Sequence, residues 1–137
     1  MLGYKICYQI LFSILDIAVN IIAPDQVQVY ESIQLTCQWS VSVKYFKIVT
    51  WFKEVDGAPH ALYVASGEST VSSETNFVDR ISASKDIDFT IEHSIWLFDV
   101  LSEDGKGSYY CSMGNLRRTS WSPYHTFKVV SKYDLFT

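Results

Sequence analysis

Ile33, Leu35, Cys37 and Trp39 alternate with Gln34, Thr36 and Gln38. A period of two with one apolar parity marks a half-buried strand. The same period recurs along most of the chain. Val27 and Val29 alternate with Gln26 and Gln28, and the run 47–53 (KIVTWFK) is rich in β-branched and aromatic residues. The run 61–65 (ALYVA) is short and apolar, and 80–84 (RISAS) alternates weakly. Phe89, Ile91, Ile95 and Leu97 share one parity, and the runs 108–113 (SYYCSM) and 126–130 (TFKVV) complete the set. Turn chemistry separates these runs: Asp56-Gly57-Ala58-Pro59, a Ser/Thr-rich stretch over 67–76, Lys85-Asp86, and Asp104-Gly105-Lys106-Gly107. Only 101–104 suggests a helical turn. Eight or nine short strands without helical periodicity predict an all-β sandwich or barrel.

The first residues depart from this pattern. Lys5 precedes an apolar run over 6–15, and small residues follow at Ala18 and Ala23. That layout predicts a signal peptide over 1–18. A membrane anchor is the rival reading, opposed by Gln9, Asp16 and Asn20. An ordinary N-terminal segment is the third. Removal of 1–18 takes Cys7 away and leaves Cys37 and Cys111, an even count suited to an oxidising compartment. No second apolar run of membrane length follows, so the expected product is secreted, or is an ectodomain piece of a longer protein. No Asn-x-Ser/Thr sequon occurs.

Composition narrows the function. The 137 residues are 48% hydrophobic, 15% aromatic and 19% charged, which excludes a disordered chain. The formal charge of −4 is spread along the sequence, so a nucleic-acid partner is not expected. His60, His93 and His125 are isolated, and no metal-ligand spacing, nucleophile elbow or phosphate loop occurs. His93 lies on the inward parity of its strand. No cofactor, no metal and no enzymatic activity are expected.

Four residues at particular spacings organise the fold. Trp51 lies fourteen residues after Cys37, and Tyr109 lies two before Cys111. A Cys, a Trp, and a Tyr two before a second Cys, each in a strand, are hallmarks of the immunoglobulin fold. The chain over 19–131 resembles a V-set immunoglobulin domain, with 132–137 as a C-terminal tail. The resemblance implies an immunoglobulin-like Greek-key β-sandwich of variable type with a Cys37–Cys111 bridge between its sheets, covered by Trp51. Arg80-Ile-Ser-Ala-Ser-Lys-Asp86 resembles the family's strand D, and Glu103-Asp104 before Gly107-Ser-Tyr109-Tyr-Cys111 resembles its run into strand F. An Arg80–Asp104 ion pair is therefore implied. Asp104 sits seven residues before the Cys, where six is usual, so a bulge near Gly105 is expected. Otherwise Glu103 or solvent takes the pairing role. The gap between Trp51 and Arg80 has room for the two extra strands of the variable type.

Strand G refines the resemblance. Trp121, Phe127 and Val129 fit the family's aromatic and apolar positions, but Ser122 and Tyr124 stand where antigen-receptor chains have glycine. A glycine-dependent bulge is not expected there. The chain is thus similar to non-rearranging V-set domains of co-receptors, costimulatory ligands and adhesion molecules, the co-receptor alpha-chain type first among them.

The function implied is extracellular recognition: a receptor or co-receptor ectodomain at the cell surface, binding a protein ligand in immune recognition. A soluble secreted binder or decoy, and a structural module of an adhesion protein, are the alternatives. If Trp51 and Cys111 face inward, then Thr50, Phe52, Glu54, Tyr110 and Ser112 face outward, and Tyr63 joins them. Phe52, Tyr63 and Tyr110 are the expected face for a homo- or heterodimer. Scattered surface aromatics are the plainer reading. The loop 112–120 carries Asn115, Leu116, Arg117 and Arg118, candidates for ligand binding through arginine, or else a solvated tip. Lys44, Tyr45 and Phe46 lie in the loop 40–46, expected at the same end.

Overall fold

A computed structural model describes residues 17–40, 48–65, 69–71, 80–83, 91–114 and 119–131. Within them the chain is all-β. A four-stranded antiparallel sheet holds β1 (Val19–Ile22), β3 (Ile33–Trp39), β8 (Glu92–Leu97) and β7 (Ile81–Ala83), in that order. A five-stranded antiparallel sheet runs β10 (Thr119–Trp121), β9 (Ser108–Gly114), β4 (Ile48–Val55), β5 (Ala58–Ala65) and β6 (Ser69–Val71). A two-stranded parallel ribbon joins β11 (Lys128–Val130) to β2 (Gln26–Gln28). These sheets and the buried disulfide are compatible with an immunoglobulin-like domain. The expected signal segment and tail fall almost wholly outside the described residues.

The alternation in β3 does what it predicts. Ile33, Leu35, Cys37 and Trp39 are buried, while Gln34 is exposed and Thr36 and Gln38 are half-buried. The polar parity is not idle. Thr36 bonds Ser94 across to β8 at 2.8 Å, and Gln38 donates to Glu92 at 2.9 Å. Ile91, expected on the inward parity, is exposed, because β8 begins one residue later. β1 escapes a sequence reading because its Ile21-Ile22 pair gives no alternation.

Cys37 on β3 and Cys111 on β9 form a buried disulfide that joins the two sheets. It closes a separation of 74 residues. In the chain-entropy view this contributes about 4 kcal/mol. Trp51 is fully buried in the same core, with Leu35, Leu62, Ile95, Leu97 and Met113. Its indole Nε1–H donates to His93 Nδ1 at 3.1 Å, so the proton of the neutral imidazole is on Nε2. Burial pushes the His93 pKa down to about 4.

The turn chemistry is local and specific. Asp56 and Gly57 link β4 to β5 with φ of 53° and 79°, the two left-handed residues of a tight hairpin turn. At the far corner, Ser102–Gly105 forms a 3-10 helical turn. Asp104 within it is buried and makes a bidentate pair with Arg80, at 2.7 and 3.0 Å. Tyr109 donates its hydroxyl to the Asp104 carbonyl at 2.7 Å, tying that turn to β9. The pair forms although Asp104 lies seven residues before Cys111. The left-handed residue of this corner is Gly107 (φ 80°), and a Cβ there would strike the carbonyl oxygen of Glu54.

Candidate functional site

The outward side of the five-stranded sheet carries the site. Trp51 and Cys111 are paired across β4 and β9 and both face the core. Their neighbours Phe52 and Tyr110 are therefore paired on the other side, and their rings stack with centroids 5.0 Å apart. Both residues lie on the outward parity expected of them.

Tyr63 is a correction. It is only 5% exposed and sits in the core, stacked on His93 at 5.8 Å. The register of β4 against β5 shifts between Trp51 and Phe52, so that Trp51 opposes Tyr63 while Phe52 opposes Ala61. Leu62 is the extra residue, and it too is buried. A bulge of this kind reverses the parity of everything beyond it. The outward place assigned to Tyr63 is filled by Ala61.

Two further aromatic residues join the face, and neither was expected on it. Trp121 pairs with Ser112, while His125 bridges to Tyr109. The step from Trp121 to His125 is four residues on one strand, against three from Ser112 to Tyr109 on the other. The last strand therefore carries one extra residue. Residues three apart would face opposite sides of a regular strand, but here Trp121 and Tyr124 share a side. Trp121 lies 5.5 Å from Phe52 and 5.9 Å from Tyr110, and Tyr124 meets Tyr110 edge-on at 5.0 Å. Trp121 is 55% exposed and Tyr124 62%.

The irregularity needs no glycine. Neither Ser122 nor Tyr124 has positive φ. Ser122 takes up the displaced ladder bond instead: its Oγ accepts from the Cys111 amide at 2.9 Å and donates to the Pro123 carbonyl at 2.9 Å. Its own amide still donates to Cys111 at 2.8 Å. Pro123, with no N–H, loses no bond in that position. A bulge thus exists where its glycine-dependent form was not expected.

Charge is nearly absent from this face. The outward positions of β4 are Ile48, Thr50, Phe52 and Glu54, and those of β9 are Ser108, Tyr110, Ser112 and Gly114. Among the described outward positions of β4, β5, β9 and β10, Glu54 is the one charge. Burial, followed by the charge of Glu54, raises the Tyr110 phenol above its ordinary value, so Tyr110 is a neutral hydroxyl donor. The opposite sheet differs: its outward side is laid with the Thr36–Ser94 and Gln38–Glu92 bonds, with Trp96 exposed beside Gln34 and Ser82.

The remaining candidates divide as follows. Asn115, Leu116, Arg117 and Arg118 lie outside the described residues, as do Lys44, Tyr45 and Phe46. β9 runs to Gly114 and β10 starts at Thr119, so the connection between them is shorter than the loop expected over 112–120. Lys53 is buried and donates to the Glu103 carbonyl at 3.1 Å, above the Tyr109 ring; burial lowers its pKa. His125 Nε2 is 2.9 Å from the Pro24 carbonyl, and His60 is exposed in β5. Among the described residues no group of His, Cys, Asp and Glu could hold a metal ion, and no helix is long and apolar enough to cross a membrane. No protein-family model matches the chain, and no curated protein matches it.

Proposed function

We propose that this chain is a V-type immunoglobulin domain that recognises a protein ligand in an extracellular setting, through the aromatic face of its larger sheet. The strand order supports the type. β1, β3, β8 and β7 correspond to strands A, B, E and D, and β10, β9 and β4 to G, F and C. On this reading β5 and β6 are the C′ and C″ strands that distinguish variable from constant domains. The Cys37–Cys111 bridge, the buried Trp51 and the Tyr109 corner support the same reading.

One observation carries the functional reading. Four aromatic rings cluster on an almost uncharged sheet face, with Trp121 and Tyr124 more than half exposed. Interface cores are enriched in Trp and Tyr and depleted of charge. The domain acts by binding, at the surface of a cell or in its surroundings. The test is an array of extracellular protein domains probed with the multimerised chain. A ligand is expected whose binding is lost in Trp121→Glu at unchanged melting temperature. Ligand binding that is indifferent to Trp121→Glu contradicts the assignment of the face.

A further inference from the structure

We infer that this domain carries an acid-sensitive latch over its own disulfide: the Trp51–His93 hydrogen bond is a second link between the sheets, and its loss on protonation of His93 opens the Cys37–Cys111 bridge to an external dithiol. The inference is independent of what the outer face binds.

The latch comes from register. His93 is the direct cross-strand partner of Cys37, and Trp51 is that of Cys111. The disulfide joins the two cysteines across the core. The Trp51 indole joins their two partners by donating Nε1–H to His93 Nδ1 at 3.1 Å. Four residues thus close a ring through both sheets, with one covalent crossing and one that depends on a bare nitrogen. Tyr63, opposite Trp51 on β5, lays its ring on the imidazole with centroids 5.8 Å apart. The cysteines and Trp51 have no exposed surface, and His93 is 2% exposed. No reductant reaches the sulfurs unless this part of the core opens.

Protonation undoes the second crossing for a geometric reason. A neutral imidazole accepts at Nδ1, whereas an imidazolium donates from both nitrogens. In the closed core Nδ1–H would then face the indole N–H, two donors at hydrogen-bond distance away from water. The groups that face the ring are the indole from β4, the Tyr63 phenol ring from β5, Cys37 from β3 and, through the bridge, Cys111 from β9. Neither a phenol nor a disulfide supplies negative charge in acid. Of the nearby charged groups, Lys53 is directed at the Glu103 carbonyl, and Glu92 at Gln38 on the outer side. Burial holds the ring neutral down to about pH 4, so the proton is taken up by the opened form, whose imidazole titrates near the ordinary 6.5. Acid therefore shifts the balance toward the open core. There a dithiol attacks one sulfur, the protein's S–S bond breaks, the reductant's two sulfurs join, and its two protons end on Cys37 and Cys111.

The experiment follows reduction of the oxidised full chain by a low concentration of a trialkylphosphine, which needs no thiolate and leaves as the oxide with oxygen taken from water. Alkylated Cys37 and Cys111 peptides are counted by mass spectrometry from about pH 7.5 to about pH 4.5, the range that spans the imidazole titration. Each rate is divided by that of the same chain unfolded in urea. The corrected rate is expected to rise about thirtyfold from about pH 7.5 to about pH 5, because burial lowers the imidazole from 6.5 to about 4. His93→Gln keeps an acceptor for the indole and is expected to change less than about threefold over the same range. A corrected wild-type rate that stays flat to about pH 5, or an equal acceleration in His93→Gln, overturns the inference. Should the variant fail to fold, the wild-type profile decides. A rise that begins near pH 6.5 supports the latch, and one that begins only below about pH 4.5, where carboxylates titrate, overturns it.

Discussion

Arg80 and Asp104, twenty-four residues apart, meet in a two-pronged ion pair at the corner where the polypeptide turns into β9. The Asp104 carboxylate also accepts the Leu101 amide at 2.7 Å, so it serves the 3-10 turn as well as the pair. The side-chain bond to Asp104 raises the Arg80 pKa further above its ordinary value. Arg80 also reaches the Phe98 and Asp99 carbonyls at 3.4 and 3.3 Å, at the left-handed residue Asp99 (φ 50°). One guanidinium thereby fixes two loops.

Arg80→Ala is expected to destabilise the domain by about 3 kcal/mol, because it strands a buried carboxylate. Arg80→Lys recovers only part of the loss, since an ammonium cannot reproduce the planar fork. Urea denaturation of the two variants checks both values. Equal stability of Arg80→Ala and wild type would contradict the role given to the pair.

Ser122 is the hinge of the aromatic face. Ser122→Ala removes the acceptor for a buried amide and is expected to cost about 1–2 kcal/mol. Its larger consequence is geometric. With the bulge loosened, Tyr124 loses its edge-on contact with Tyr110, and the Tyr110 and Tyr124 ring resonances are expected to shift together in an NMR spectrum. Thr126→Ala, at an exposed position four residues on, should change neither quantity.

His93 makes stability depend on pH. The folded domain holds its imidazole neutral down to about pH 4, while the unfolded chain protonates it near the ordinary 6.5. The unfolded state binds the extra proton between those values, so stability from this residue is complete above pH 6.5 and declines toward pH 4. The full loss is about 3 kcal/mol. His93→Gln keeps an acceptor for the Trp51 indole and is expected to flatten that part of a stability–pH curve. An unchanged slope in the variant would show that other groups cause it.

The sequence was informative where structure follows period and spacing. The alternation of Ile33 to Trp39, the Asp56-Gly57 turn, and the spacing of Cys37, Trp51, Tyr109 and Cys111 all express local or pairwise rules. The Arg80–Asp104 contact was legible through family resemblance, one residue of offset included. The aromatic face was half legible, and for one reason. Its composition depends on two bulges, one shifting β5 at Leu62 and one shifting the last strand at Ser122. Parity counting cannot locate a bulge, so it misses that Tyr63 turns inward and that Trp121 and Tyr124 share the outer side. Three aromatics in the nine residues 119–127 were the available signal, and only the Ser122 hydroxyl explains how two of them come to share a side.

The most direct test of the recognition face is hydroxyl-radical footprinting of the chain in a complex, read residue by residue by mass spectrometry. Trp121 and Tyr124 are exposed on the aromatic face, whereas Trp96 and Tyr30 are exposed elsewhere and serve as internal controls. On complex formation, Trp121 and Tyr124 are expected to lose reactivity while Trp96 and Tyr30 keep theirs. Protection of Trp96 or Tyr30 with Trp121 and Tyr124 still reactive would contradict the account.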